Sequence, residues 1–361
     1  MRNTSFLLIV LLVLGIYALA QARVRGACPN CHTMHNSQGG EPMNWDDSAT
    51  PNPVLLLGGC IGCHTGMNNG TNTTPYVFNL SPPPYGDTGT EAGISKTLAG
   101  GNFYWVAQGN DRTGHNIDGL SGEDAALGFI PPGNDGVTFT EQLRCAGTMG
   151  CHGRYAAPED AEPIVAMRKS HHFKIHTAWQ DGTTLAGSYR FLLGIRGLGD
   201  PDYEYEPADS HHNKYSGVNR SDEGDVQAAG TISSLCARCH GDFHGDSNTV
   251  QGTAWGSPWI RHPTNFDMSS ASSSNEYLGY NGGGGTGNVY SVVSPVATAD
   301  ATTTLNETVT IASNNNNAIV MCLSCHRAHG TPNDGILRWN YKTWPDDGGY
   351  NGCAVCHSSK D

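Results

Sequence analysis

Twelve cysteines fall in pairs, and a histidine follows the second member of every pair. Cys28-Pro29-Asn30-Cys31-His32, Cys60-Ile61-Gly62-Cys63-His64, Cys236-Ala237-Arg238-Cys239-His240, Cys322-Leu323-Ser324-Cys325-His326 and Cys353-Ala354-Val355-Cys356-His357 all leave two residues between the thiols. Cys145 and Cys151 make a sixth pair with five residues between them, and His152 comes next. Cys-x2-Cys-His is the spacing of a c-type haem attachment site. The thiols form thioethers with the haem vinyl groups, and the adjoining imidazole ligates the iron. Zinc needs four ligands in a tetrahedron and gives no reason for a histidine to adjoin the second thiol each time. For Cys145 and Cys151 the rival is a disulfide, available in an oxidising compartment, but His152 directly after Cys151 favours haem.

The chain has 16 histidines, so ten lie outside these motifs. His329 follows His326 by three residues, too close to reach the opposite face of the same haem, so as a ligand it serves a neighbouring one. His35 stands at the same spacing from His32; its bland reading is a solvated loop histidine. His115, in Gly114-His115-Asn116-Ile117, is either a loop histidine or a distal ligand. Residues 163–176 have the spacing of a helix with Met167, His171 and Lys174 on one face and His172 and His176 on another, which offers His171 or His172 as a ligand. His244 comes four residues after His240. His262 precedes Pro263, which keeps it out of helical geometry and suits a side chain projecting from extended chain onto a metal. His211 and His212 are spare. The expected distal set is therefore His35, His115, His171 or His172, His244, His262 and His329. Met34, Met43, Met67 and Met149 sit near motifs, and thioether ligation would raise a potential, but the histidines already suffice. An iron held by two imidazoles passes electrons and binds little, whereas a catalytic haem keeps one position open.

Positioning these groups falls to an unusual chain. Of 361 residues, 37% are hydrophobic, 15% are charged and 47 are glycine. That is too little apolar material for an ordinary core and too little charge for a disordered chain. Six haems, each a flat apolar body bonded to the chain, supply the missing interior. The expected fold is mostly irregular coil with short helices and few short strands, a single haem-cored multihaem cytochrome c domain over residues 23–361. Residues 65–100, rich in Asn, Thr, Pro and Gly, read as loop. Phe103-Tyr104-Trp105 offers aromatic rings to a haem face, residues 189–198 a core segment, and residues 289–311 short strands. Asp200, Asp202, Glu204, Glu206 and Asp209 read as a solvated acidic loop; calcium binding through their oxygens is the other reading.

Residues 1–22 read as a secretory signal peptide. Arg2 is followed by an apolar run over residues 6–19 and by Ala18-Leu19-Ala20 and Ala20-Gln21-Ala22 as cleavage sites. The run is short for a membrane span, and no later stretch is long and apolar enough, so no span is expected in the mature chain. Export fits the chemistry, because bacterial c-type haem is attached outside the cytoplasm. A net charge of −13 argues against nucleic acid as a partner and for basic proteins, oxidised metal ions or further copies of the chain.

With these residues in hand the sequence resembles the extracellular hexahaem cytochromes of metal-reducing bacteria of the OmcS type, which polymerise into conducting filaments. The carrying stretches are Cys28 to Asn36, Gly114-His115-Asn116-Ile117, Cys239-His240 with His244, Arg261-His262-Pro263, Met321 to His329, and Cys353 to Asp361. The resemblance implies six bis-histidine haem c groups in one continuous stack, and a histidine at the position of His35 that ligates a haem of the neighbouring subunit in a homopolymer. It departs at the third motif, where five residues separate the thiols and no histidine follows closely. His171 or His172 is expected to serve there. The implied function is secreted, extracellular electron transfer to redox-partner cytochromes or metal oxides, by an electron carrier and not an enzyme. The rivals are a multihaem reductase of nitrite, hydroxylamine or a sulfur oxyanion with one open haem, and a monomeric periplasmic or outer-surface shuttle.

Overall fold

The computed structural model describes residues 27–44, 48–52, 54–85, 97–133, 139–173, 178–219, 229–241, 249–250, 259–260, 262, 264–270, 277–302, 308–312, 316–343 and 352–358. The signal-peptide reading of residues 1–22 lies outside them, as do His176 and His244. Among the described residues the longest α-helix, Ile232–Ala237, has 6 residues, and the strands form only two-stranded pairs. The fold is mostly irregular, as expected. No helix among the described residues is long and apolar enough to cross a membrane.

The short helices sit on the motifs. Cys60–His64, Cys322–Cys325 and Gly352–Cys356 are single α-helical turns. The helical bond from the histidine amide back to the first cysteine carbonyl is present in four other or overlapping copies: His32 to Cys28 at 2.9 Å, His240 to Cys236 at 3.0 Å, His326 to Cys322 at 3.0 Å and His357 to Cys353 at 2.8 Å. One turn puts residues three apart on one face. Both thiols are thus presented together, with the histidine next to them.

The third motif reaches the same end by other means. Arg144–Ala146 and Gly150–His152 pair in parallel, Arg144 opposite Gly150 and Ala146 opposite His152. Cys145 and Cys151 therefore stand in register, and the three extra residues, 147–149, loop out. Gly147 makes the loop possible. Its φ is +96°, and a Cβ there would lie 2.3 Å from the Asp160 carbonyl oxygen. Cys145 and Cys151 are not bonded to each other.

Apolar packing is divided among small clusters. Tyr189, Leu192, Ile195, Tyr215, Ile232, Ala297, Ile319, Met321 and Leu323 form one, against the fourth and fifth motifs. Met268, Tyr280, Tyr290, Val292, Val309, Val320 and Val355 belong to a second, which takes in Cys356. Phe103, Val106 and Ile117 make a third, with Cys145 against it. The expected strands in 289–311 appear as Asn288–Val289 paired with Thr308–Val309, and Tyr189–Phe191 is a 3-10 turn leading to the strand Gly197–Leu198.

The helix expected over 163–176 is broken. Only Pro163–Ala166 is α-helical, and Lys169 at φ +69° takes left-handed backbone that ends it. A 3-10 turn, Ser170–His172, follows.

Ile319 has no exposed surface, packs among Tyr215, Ile232 and Met321, and pairs its backbone with Ala297. Ile319→Ala is expected to lower the unfolding free energy of the haem-loaded protein by about 2–5 kcal/mol, read from chemical denaturation. A change within error would show that these clusters do not hold the chain.

Candidate functional site

A neutral imidazole that donates through Nδ1 keeps its Nε2 lone pair for a metal. Five of the six motif histidines are held in that state by backbone carbonyls, which can only accept. His32 Nδ1 donates to Leu55 O at 2.7 Å, His64 to Pro75 O at 2.8 Å, His152 to Arg190 O at 3.1 Å, His240 to Pro132 O at 2.6 Å and His326 to Gly335 O at 2.8 Å. Outside the motifs, His35 does the same to Asn52 O at 2.8 Å and His115 to Ala328 O at 2.6 Å.

The imidazoles then face one another in pairs. His32 lies against His172 with ring centroids 6.1 Å apart, His64 against His171 at 6.2 Å, His115 against His240 at 6.2 Å, His152 against His329 at 6.4 Å and His262 against His357 at 6.3 Å. Every pair joins a motif histidine to one from elsewhere in the chain. Metal–imidazole bonds of about 2 Å on each side leave ring centroids roughly 6 Å apart. The spacing is wrong for stacking and right for a metal between the rings, so the residues present fit haem iron.

One clasp holds two of the outside histidines. Residue 330 bridges both Gly101 and Gly114. The His329 amide donates to Gly100 O at 2.7 Å, and the His115 amide donates to His329 O at 3.3 Å. A Cβ at Gly101, where φ is +83°, would lie 2.0 Å from Gly330 O. His329 and His115 are thereby fixed back to back, one turned to the third motif and the other to the fourth. Phe103 closes on His329 with centroids 4.8 Å apart.

The thiols neighbour one another in chain order. Burial pushes Cys63 up, and Cys31 adds to it. Cys145 hydrogen-bonds to Cys60 and holds the Cys60 thiol down at about 7. Burial pushes Cys151 up to about 11, with Cys239 adding to it. A hydrogen bond with Cys322 raises Cys236. Burial takes Cys325 to about 12, with Cys356 and Cys353 contributing. Each motif thus lies within electrostatic reach of the next, from first to sixth.

Two expected placements differ. His171 and His172 do not turn to the third motif; the 3-10 turn sends them to the second and the first, and His329 faces His152 instead. His326 has no second imidazole facing it at this spacing among the described residues. His35 is the converse case. It is exposed, anchored through Nδ1, and meets no other imidazole among the described residues. Of the spare pair, His212 stacks on Tyr290 at 3.6 Å and His211 lies 3.1 Å from Asp200. The acidic stretch is not wholly solvated: Asp200 and Glu204 are buried. Burial first, and Asp202 next, push Asp200 up to about 7.

Paired thiols, an adjoining histidine and facing imidazoles define a c-type cytochrome with several haem c groups. Residues 316–361 match the family described as Doubled CXXCH motif. The chain is similar to the C-type cytochrome OmcS of Geobacter sulfurreducens, 27% identical over 87% of this chain and 78% of that protein. Two solved structures are similar over most of their length. The Outer Membrane Cytochrome S Filament from Geobacter sulfurreducens has a TM-score of 0.46 at 19% identity, with 88% of this chain and 84% of that one covered. The OmcS nanowires from the same organism give 0.45 at 22%, covering 86% and 83%. The resemblance read from the motifs stands: the chain is similar in sequence to a c-type cytochrome, OmcS, over most of its length.

Desolvation favours the neutral form of three of the facing imidazoles most strongly. It takes His171 to about 4, His240 to about 4 and His329 to about 3, from an ordinary 6.5. A histidine depressed in the folded state adds stability above pH 6.5 that is lost as the unfolded chain takes up protons below it. Thermal stability is therefore expected to fall as pH drops from about 6.5 to about 4, while the low-spin haem spectrum persists through that window. A melting temperature flat across it would contradict the assignment of buried neutral rings.

Proposed function

We propose that this chain is an exported hexahaem electron carrier that polymerises into an extracellular filament. The observation that carries the reading is the set of five facing imidazole pairs, strung along motifs that neighbour one another in chain order. Bound haem supplies one-electron oxidation and reduction of iron. The chain's own residues set the rest. His32 with His172, His64 with His171, His152 with His329, His240 with His115, and His357 with His262 are the ligand pairs, and Cys28, Cys31, Cys60, Cys63, Cys145, Cys151, Cys236, Cys239, Cys322, Cys325, Cys353 and Cys356 are the anchors. Two imidazoles on an iron leave it no site for substrate, which favours electron relay over bond-making chemistry. The end acceptors in this reading are metal oxides or partner cytochromes, and residues 1–22 direct export.

His326 supplies the joint. Its ring is set for ligation by Gly335 O, and the partner it lacks among the described residues is matched by His35, whose Nδ1 is anchored and whose other nitrogen is left for a neighbour. His35 sits beside the first motif and His326 in the fifth. A bond from His35 of one copy to the iron on His326 of the next is heterologous and repeats without closing, the geometry of an open filament. An open position at that haem is what a multihaem reductase would need, so one experiment separates the two. His35→Ala is expected to yield discrete particles by electron microscopy and a single high-spin haem by EPR, with the other haems low-spin. Unchanged filaments with wholly low-spin iron would overturn the joint. A high-spin haem already present in the parent filament would favour the reductase.

A further inference from the structure

The acidic segment after the third motif has no part in holding haem, yet it contains a compact set of ligand atoms. Asp200, Asp202 and His211 each offer one, and these atoms lie within 4.8 Å of one another. His211 Nε2 is 3.1 Å from Asp200 Oδ1 and 3.8 Å from Asp202 Oδ1. The backbone sets them there. Asp200 N donates to Asn213 Oδ1 at 2.9 Å. Asp202 Oδ1 accepts from the Glu204 amide at 3.1 Å, and residues 208 and 211 close a tight turn through paired amide bonds of 2.9 and 3.1 Å.

The Asp200 side chain has 0% exposure. Neither of its carboxylate oxygens has a hydrogen-bond donor, although His211 is in contact. A buried carboxylate without a donor is strongly unfavourable. The His211 ring nitrogen approaches Oδ1 closely but without the alignment of a hydrogen bond. Metal–ligand bonds of about 2.0–2.2 Å place neighbouring ligand atoms roughly 3–3.5 Å apart; the atoms here lie at 3.1 Å, 3.8 Å and within 4.8 Å of one another, so a cation would draw them slightly inward.

We propose that Asp200, Asp202 and His211 bind one divalent first-row transition cation, of which zinc is the test case, at a site separate from the haems. Two carboxylates and one imidazole suit such an ion. Calcium, which takes six to eight oxygens, does not fit a three-ligand set that includes a nitrogen. Bound there, the cation offsets the buried Asp200 charge and ties residues 200–202 to 211. It also braces Arg190, whose guanidinium donates to Asp200 O and whose own carbonyl holds His152.

The test uses the full haem-loaded protein, stripped with a chelator and titrated with zinc chloride by calorimetry. His211 is partly exposed, so His211→Gln keeps the fold; Asp202→Asn is the second variant. The parent is expected to bind one zinc ion. Each variant should bind it about tenfold or more weakly, with the haem absorption spectrum unchanged throughout. Zinc K-edge absorption should show oxygen and nitrogen neighbours with a single imidazole, lost in His211→Gln. No binding by the parent, equal isotherms in parent and both variants, two or more imidazoles on the zinc, or a zinc-induced change in the haem spectrum would each overturn the site.

Discussion

A neutral imidazole has one ring nitrogen to donate from and one to bind with, and the fold depends on which is which. A carbonyl oxygen at Nδ1 decides it. Leu55, Pro75, Pro132, Arg190 and Gly335 each place that oxygen under a motif histidine. These residues stand 9 to 108 positions from the histidine they serve, in irregular chain or 3-10 turns, and long regular elements would have spent the same carbonyls on themselves. A chain that must aim many imidazoles has reason to stay irregular, since free carbonyls are what irregular backbone has in surplus.

The same economy explains the glycines and the divided core. The clasp of 100–102, 113–115 and 329–331 lets three backbone segments approach closely enough to hold His115 and His329 against opposite motifs, and a side chain at Gly101 would fill that space. Small apolar clusters such as Tyr215 with Ile319, or Phe103 with Val106, steady individual motifs without forming one continuous interior. Covalent haem, joined through thiols that neighbour one another motif to motif, takes the place of the interior that 37% hydrophobic residues do not build.

Much of this was legible in the sequence, because its chemistry is local. Cys-x2-Cys-His is one helical turn, so spacing alone reports geometry. The wider Cys145–Cys151 spacing was readable as a site from His152, although the parallel pairing that brings the thiols into register depends on Gly147 meeting Asp160, a contact no local pattern encodes. The distal histidines are harder. His171 and His172 are adjacent, and only the left-handed turn at Lys169 separates their directions, sending one to His64 and the other to His32. His329 reaches the third motif because segments some two hundred residues apart are clasped together. The acidic stretch misled for a similar reason: Asp200 is polar by type but buried by its Asn213 and Arg190 contacts.

The pairing leaves one motif histidine, His326, facing no second imidazole among the described residues, and the consequence reaches beyond the single chain. A metal–imidazole bond is short, directional and strong, so a joint built on one needs little buried area to fix the orientation of two subunits. Ordinary interfaces achieve specificity by burying on the order of 1,600 Å² with matched shapes. A surface rich in glycine and polar loops, with a net charge of −13, is poorly suited to that. Under the proposed reading, His35 and His326 replace extensive apolar contact with coordination, as the haems replace apolar packing inside the subunit. Fold and assembly then rest on one interaction, used within the chain five times and between chains once.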